Sequence, residues 1–190
     1  MFDMVSGLQS LGAVSVVLCD STRENEWNNY VEDSTETTLG HHLGWKAVVE
    51  QSFGHQPFYL MAYRNGCVVG ILPLFLVKVL FLRRSLVSSP FLTFGGIASD
   101  DEDASAALVE MAIQIARDHH VSYIEIRNEK PCRFVPHSKS SYHTLVLDLR
   151  QGVEEIWDLN LHPTARRNVR KARQGGLTLV EGHEHLDKFV

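Results

Sequence analysis

A dense group of cationic side chains near the end of the chain has the residue types and spacing for binding an anion. Five of the eight residues from Arg166 to Arg173 are positively charged, in a chain whose formal net charge is −5. Pro163 at the start and a glycine pair at 175 and 176 mark this stretch as a helix. Because guanidinium and ammonium groups pair with phosphates and carboxylates, the helix is either an anion-binding surface or a solvated basic face.

Three cations of this basic helix are the candidates for contact with a substrate: Arg167, Arg170 and Lys171. The sequence pI of about 6.0 argues against nucleic-acid binding by the protein as a whole, so an anion site has to be local. Aromatic residues are not interleaved with the cations, which weakens a nucleic-acid-binding function further.

Three other polar residues stand at the ends of predicted strands and are the candidates for catalysis. Arg127 ends a strand predicted over 121–127, while Tyr142 and His143 begin one predicted over 142–149. Strand ends often face sites in open α/β sheets, and tyrosine and histidine can transfer protons. Each has a structural alternative: an ion pair for Arg127, and simple exposure at the sheet edge for Tyr142 and His143.

The histidines and cysteines do not form a recognisable metal or nucleophile motif. Neither the histidine pair 41–42 nor the pair 119–120 has H-E-x-x-H spacing or a nearby cysteine pair, so no metal is expected. The three cysteines are odd in number and lack C-x-x-C spacing, which fits a reducing cytoplasm. Cys132 fits a surface loop better than a nucleophile, because proximity in sequence does not build a nucleophile–base pair.

The elements that must position these residues alternate between strands and helices. Asn65 and Gly66 predict a tight hairpin turn, and the apolar strand that follows is expected to be covered on both faces. Further strands are predicted over 13–18, 58–63, 67–76 and 177–180, and helices from a cap at Ser21 or Thr22 to 31, over 42–53, 103–119, 153–159 and 163–174. The order predicts an α/β fold with an open mixed sheet flanked by helices.

Length and composition predict a soluble globular chain of one domain, or of one domain plus part of another. The chain has 190 residues, of which 44% are hydrophobic and 22% charged. Residues 1–12 are weakly patterned, 13–182 form the predicted domain, and 183–190 begin a helix that leads to a second domain outside this chain. The longest apolar run, 68–82, is too short to span a bilayer, and no signal-peptide pattern precedes the first strand. A cytoplasmic location without a transmembrane segment is expected.

Short pieces of sequence, in a fixed order over about residues 25–182, carry a resemblance to a known family. They are WNNYV at 27–31, His42, Trp45, SFGH at 52–55, PFYLMA at 57–62, VGILPL at 69–74, FGG at 94–96, YIEIR at 123–127, YHTLVLDL at 142–149 and RRNVRKA at 166–172. The chain resembles the N-terminal half of a FemAB-like protein, a tandem pair of acyltransferase domains of the GNAT (N-acetyltransferase) type. Within that family it is most similar to the branch found with exosortase (PEP-CTERM) and exopolysaccharide systems.

The resemblance implies a GNAT-like sheet and an N-acyltransferase, which moves an acyl or aminoacyl group to an amine of a cell-envelope or exopolysaccharide-related acceptor. The donor would be acyl-CoA or aminoacyl-tRNA, with no permanently bound cofactor. Partners would be a small-molecule or envelope-precursor substrate, a tRNA donor and the missing C-terminal domain of the same protein. His42 and Trp45 match the family pattern and are expected to line the substrate cleft.

Two departures from the family pattern keep a second function class open. The acetyl-CoA loop of the superfamily, Q/R-x-x-G-x-G/A between a strand and a helix, is matched neither at 64–67 nor at 173–176. The second acyltransferase domain is absent, so activity of this chain alone is not implied. The alternative is a non-catalytic recognition module that binds an anionic ligand through the basic helix.

Overall fold

The computed structural model describes residues 12–79, 83–134, 137, 144–180 and 182. The chain divides into two compact units, Met1–Ser141 and Tyr142–Val190. The first unit contains a five-stranded sheet and the larger helices, and the second contains short helical segments and the basic helix. Within the described residues, no helix combines the length and the apolar character that crossing a bilayer requires.

A mixed sheet with the strand order β1-β2-β3-β4-β5 forms the centre of the first unit. The strands are β1 (Ser15–Leu18), β2 (Gln56–Arg64), β3 (Cys67–Val79), β4 (Arg83–Ser88) and β5 (Tyr123–Glu125). The helices of this unit are α1 (Glu24–Asp33), a 3₁₀ turn (Leu39–His41), α2 (Leu43–Phe53) and α3 (Glu102–Asp118). The first four strands pair antiparallel, whereas β4 and β5 run parallel. The predicted mixed sheet flanked by helices is thus confirmed.

The middle of β3 is buried on both faces, as its unbroken apolar sequence predicts. Leu72, Leu74 and Leu76 point to one side and pack in a cluster with α3. Ile71 and Phe75 point to the other side and pack in a second cluster with residues of α1 and α2. Because successive strand side chains alternate between faces, one strand serves both cores.

The predicted hairpin is confirmed, and α3 begins with a cap that the sequence analysis did not predict. Asn65 and Gly66 join β2 to β3 with positive φ angles of 52° and 81°, the conformation that a tight hairpin requires. Asp101 caps α3, and its carboxylate accepts a hydrogen bond of 3.0 Å from the Ala104 amide. The same carboxylate receives two hydrogen bonds from the buried Arg64, which ties the start of α3 to the end of β2.

The second unit consists of α4 (Val153–Glu155), a π-helical turn (Ile156–Asn160) and α5 (Pro163–Gln174). The predicted helices over 153–159 and 163–174 are confirmed. Two predicted strands in this part are wrong for the described residues: 144–149 and 177–180 have no strand pairing. Their apolar side chains are largely exposed, because an alternating pattern becomes a strand only where a neighbouring strand satisfies its backbone.

Two predictions in the first unit are also corrected. The residue before α1 is Arg23, not Ser21 or Thr22; the Thr22 hydroxyl instead donates to the Asp20 carboxylate at 2.5 Å. Strand β4 is missing from the sequence prediction, because it begins with two arginines and has only two apolar residues, Leu86 and Val87. Its pairing with β3 and β5 stabilises it despite this sequence.

Candidate functional site

The pair of parallel strands places a pocket at the carboxyl ends of β4 and β5. The pocket, of about 340 Å³, lies between the segment that joins α1 to α2, the segment that joins β4 to α3, and residues 127–134 after β5. Parallel strands whose connections diverge leave such a crevice at their carboxyl ends, where ligands of open α/β sheets commonly bind. We call it the glycine-loop pocket, after Gly95 and Gly96 in its wall.

Gly95 and Gly96 allow two neighbouring segments to approach the backbone closely. Gly95 has φ of 145°, and a Cβ at this position would overlap the Ser89 side chain. A Cβ at Gly96 would overlap the side-chain oxygen of Asn128 and would lie 3.0 Å from the backbone carbonyl carbon of Arg127. Such close approaches of backbone to neighbouring segments need glycine, because any larger residue would place a Cβ in the contact.

Hydrogen bonds from the end of β5 hold the other side of this loop. The Gly95 amide donates to the Arg127 carbonyl at 3.1 Å, and the Ile97 amide donates to the Asn128 side chain at 2.8 Å. The Arg127 amide donates to the Ser88 hydroxyl at 2.8 Å, and its guanidinium contacts the Leu92 carbonyl at 2.8 Å. These hydrogen bonds therefore join the segment that follows β4 to the residues that follow β5.

Arg127, a candidate from the sequence, lies in the pocket wall. Its Nε donates to the Glu125 carboxylate at 2.8 Å, the ion pair that was the structural alternative for this residue. The same guanidinium also donates a hydrogen bond to the Leu92 carbonyl, so two of its nitrogens are bonded within the protein. The described geometry places Arg127 where it shapes the pocket.

His41 is the histidine of this pocket, and it is almost completely buried, at 1% exposure. Its Nδ1 accepts a hydrogen bond from the Thr38 amide at 2.9 Å, and its Nε2 lies 2.9 Å from the Gly96 carbonyl oxygen. Burial lowers the pKa of His41 below its usual value, although its hydrogen bonds to Gly96 and Thr38 oppose this effect. The imidazole is therefore neutral near pH 7.

Sequence reasoning singled out His42, the neighbour of this residue. His42 is exposed at the start of α2, and Trp45 is partly buried; neither belongs to the lining of the glycine-loop pocket. The indole nitrogen of Trp45 is buried without a hydrogen-bond partner among the described residues. The signal for His41 was its spacing from Thr38, since a residue three positions after a helix-capping threonine can return a hydrogen bond to the cap.

The charges around the pocket are mixed, with a surplus of carboxylates. The Lys130 ammonium pairs with Glu36 at 2.8 Å, and Arg133 pairs with Glu102. Asp100 and Glu129 also line the pocket, and within the described ranges no salt bridge to a cation engages them. Because each lining cation already has a carboxylate partner, the free charge of this wall is negative.

The start of α3 does not offer a site for a pyrophosphate. Asp101 fills the position where a bound anion would meet the helix N-terminus, and Arg64 neutralises it through hydrogen bonds of 2.8 and 3.0 Å. Glu102 and Asp103 add negative charge in the first turn. The segment between β4 and α3 connects a strand to a helix, but its Phe-Gly-Gly sequence does not match the pattern Q/R-x-x-G-x-G/A.

The basic helix α5 belongs to the second unit, and its cations differ in their surroundings. Arg166 lies 3.7 Å from Asp158, while Arg170 and Arg173 lie over the ring of Trp157 at 5.8 and 6.0 Å. Arg167 and Lys171 are exposed and have no carboxylate partner within the described residues. The sequence analysis missed Trp157 as an aromatic partner of these arginines, because it precedes the helix rather than interleaving with it.

The remaining candidates are placed as follows. Tyr142 and His143 lie outside the described residues. Cys132 is partly buried and lines the glycine-loop pocket. Among the residues that the structure describes, no three histidine, cysteine or acidic side chains lie close enough together to hold a metal ion. His119 instead stacks edge-on against Phe58 at 5.0 Å, a packing role within the first unit.

Comparisons with known proteins give similar structures but no family. No protein-family model and no curated protein matches the chain. A ribosomal-protein-alanine N-acetyltransferase from Brucella melitensis biovar Abortus 2308 is similar in structure, with 12% identity, 72% of this chain and 99% of that chain covered, and a TM-score of 0.48. A transcriptional regulator from Bacillus halodurans C-125 has 14% identity, coverage of 72% and 99%, and a TM-score of 0.47.

The aminoglycoside 6′-N-acetyltransferase AAC(6′)-IG from Acinetobacter haemolyticus is a third similar structure. It has 10% identity, coverage of 70% of this chain and 99% of that chain, and a TM-score of 0.46. Likeness at these identities and TM-scores does not extend to what a protein binds or catalyses.

Proposed function

We propose that this chain is an N-acyltransferase domain and that its glycine-loop pocket is where an acyl group meets an amine. The proposal rests on the family resemblance of the sequence and on one structural observation: the pocket opens at the carboxyl ends of the parallel strands β4 and β5. Acyl transfer from an activated ester or thioester needs no nucleophilic side chain. It needs a crevice that holds donor and amine together, and the proposal gives this role to the glycine-loop pocket.

The charge of the pocket favours an amine that arrives as an ammonium ion. Asp100 and Glu129 offer carboxylates without cationic partners in the described ranges, whereas Lys130 and Arg133 are paired. We therefore propose that the acceptor is a primary amine with a positive charge. A polyamine is the simplest probe of this class.

Every proton and bond of the proposed acyl transfer can be accounted for. The ammonium loses a proton to a lining carboxylate or to water, and its nitrogen attacks the carbonyl carbon of the donor. A carbon–nitrogen bond forms, the carbon–sulfur or carbon–oxygen bond of the donor breaks, and the nitrogen loses a second proton, which the leaving group takes up. The proposed contribution of the pocket is to bring the two reactants together and to concentrate the cationic amine.

The test is release of thiol from acetyl-CoA by the 190-residue chain with spermidine as the acceptor. The double substitution Asp100→Asn with Glu129→Gln is expected to raise the KM for spermidine about tenfold or more, because two charge-assisted contacts are lost. Glu110→Gln is the matched control, since Glu110 is an exposed carboxylate of α3 outside the pocket. Thiol release that is equal in all three proteins would contradict the assignment of this pocket to the acceptor.

The finer parts of the proposal follow the sequence resemblance alone. They are membership of the FemAB-like family and its exosortase-associated branch, an acceptor from the cell envelope or an exopolysaccharide, and a second acyltransferase domain in the same protein. Acyl-CoA and aminoacyl-tRNA both remain proposed donors. Tyr142, His143 and Arg127 remain proposed catalytic residues. His42 and Trp45 remain proposed cleft residues on the resemblance alone, since they lie outside the lining of the glycine-loop pocket.

The second candidate function is recognition of an anionic ligand through α5 without catalysis. One observation favours it: the exposed cations Arg167 and Lys171 stand on the same helix as two arginines that lie over Trp157. An aromatic ring beside guanidinium groups is a combination that also binds nucleic-acid strands. The proposed ligand contacts are Arg167, Arg170 and Lys171.

Charge reversal separates this function from the first. Arg167→Glu with Lys171→Glu should weaken binding of a transfer-RNA mixture about tenfold or more at low salt, and the binding of the native chain should fall steeply as salt rises. Arg117→Glu is the control, because Arg117 is an exposed cation in the last turn of α3. Unchanged RNA affinity in the double variant would exclude α5 as the binding surface.

A further inference from the structure

The wall of the glycine-loop pocket contains two glycines, which have no side chains to anchor it. Gly95 and Gly96 have no side chains, and the amides of Gly95 and Ile97 are held only from the β5 side in the bonds described above. On the opposite side, the 3₁₀ turn Leu39–His41 faces this loop. The contacts that cross from this turn to the loop therefore decide where the wall stands.

Two hydrogen bonds make this crossing. The Ser89 hydroxyl donates to the Gly40 carbonyl at 2.8 Å, and His41 Nε2 lies 2.9 Å from the Gly96 carbonyl. Only the second reaches the glycine pair itself. Trp27 anchors the 3₁₀ turn, because its indole nitrogen donates a hydrogen bond to the His41 carbonyl at 2.6 Å.

The bonding of the imidazole leaves one possible tautomer. The Thr38 amide donates to Nδ1 at 2.9 Å, so Nδ1 must present a lone pair and carries no proton. The proton of a neutral ring then sits on Nε2 and is donated to the Gly96 carbonyl. Because the ring is 1% exposed, water cannot replace either bond without a rearrangement.

We propose that His41, in its Nε2–H tautomer, is a positioning residue that holds the Gly95–Gly96 wall of the pocket against the turn between α1 and α2. The role concerns the shape of the pocket and does not depend on the reaction proposed above. It assigns to the imidazole one of the two hydrogen bonds that join these segments among the described residues, the other being the bond from Ser89 to Gly40.

The two nitrogens of the ring can be replaced one at a time. Asparagine places a polar atom near the position of Nδ1, and glutamine places one near the position of Nε2. His41→Asn should therefore keep the bond from the Thr38 amide and lose the bond to Gly96. His41→Gln should do the reverse, and His41→Ala should lose both.

Residue-by-residue amide hydrogen exchange of the 190-residue chain measures the effect of losing each bond as a change in amide protection factors. In His41→Asn the protection factors of Gly95 and Ile97 should fall about tenfold while that of Thr38 stays within about twofold. In His41→Gln the Thr38 amide should lose protection and the two loop amides should keep it. A general loss of stability would instead lower the protection of all three amides in both variants. His42→Gln, an exposed neighbour, is the control and should change none of these amides.

The native protein provides a second measurement that does not depend on any variant folding. The ¹⁵N resonances of the His41 ring should show an unprotonated Nδ1 and a protonated Nε2. A protonated Nδ1 would overturn the proposal. Loop amides that keep their protection in His41→Ala, or that lose it equally in the asparagine and glutamine variants, would overturn it as well.

Discussion

Replacing Gly96 by alanine tests how tightly the pocket wall is packed against the end of β5. The added Cβ would lie 3.0 Å from the backbone carbon of Arg127 and would overlap the Asn128 side-chain oxygen. That oxygen accepts the Ile97 amide at 2.8 Å, so the Asn128 amide must move and this bond is lost. Overpacking costs about 1–3 kcal/mol, and one lost hydrogen bond about 1 kcal/mol.

The free energy of unfolding should therefore fall by about 2–4 kcal/mol in Gly96→Ala. For a chain of this size the melting temperature should fall by about 5–15 °C. Urea unfolding followed by circular dichroism measures the free energy of unfolding, and thermal unfolding followed in the same way measures the melting temperature. Gly44→Ala is the matched control, because a Cβ there meets nothing within 4 Å and the residue lies in α2. In a helix, alanine is favoured over glycine by about 1 kcal/mol, so this control should not lose stability.

A double-mutant cycle with Asn128→Ala identifies the cause. Asn128→Ala removes the atom that the new Cβ would overlap, so the two substitutions together should cost at least about 1 kcal/mol less than the sum of the single ones. Part of the cost remains, because the Arg127 backbone is still close. A Gly96→Ala variant within about 0.5 kcal/mol of the native protein, or strictly additive costs, would refute the close packing of this loop.

Two further predictions concern the ends of α3. His120→Gly should raise the free energy of unfolding by about 1 kcal/mol in urea titrations, because His120 has φ of 52° just after the helix, where glycine is unstrained; a loss of stability would mean that its side chain makes a stabilising contact. Hydrogen bonds from Arg64, above all, hold the pKa of Asp101 below its usual range, with help from the Ala104 amide. A carboxyl group whose pKa is lower in the folded state stabilises the protein above its unfolded pKa and ceases to do so as pH falls through the folded pKa. Asp101→Asn should thus lower stability at pH 7 and flatten its decline on acidification, whereas an unchanged acid limb would exclude this carboxyl group as a cause.

The sequence was informative where a local pattern carried the structure. The residues Asn65 and Gly66 permit positive φ, which predicted the hairpin, and the apolar stripe predicted the helix over 103–119. The capping role of Asp101 was not predicted. The unbroken apolar sequence of β3 predicted burial on both faces because each face needs apolar residues.

The features that the sequence did not reveal depend on contacts between residues distant in sequence. Strand β4 has two apolar residues and takes its conformation from β3 and β5, so its own sequence did not reveal it. His41 became a pocket residue through Gly96, 55 positions away, and no local pattern shows such a contact. Without β4, the sequence did not predict the parallel pair that opens the pocket, although it did single out Arg127 in the pocket wall.

A bisubstrate compound, in which coenzyme A is joined through an acetyl linker to spermidine, tests the central proposal most directly. It would be titrated into the ¹⁵N-labelled 190-residue chain, and the amide shifts would be followed residue by residue. The account predicts shifts concentrated at residues 94–97 and 127–133, which line the glycine-loop pocket. Shifts confined to the basic helix Pro163–Gln174, or no saturable shift at millimolar compound, would contradict it.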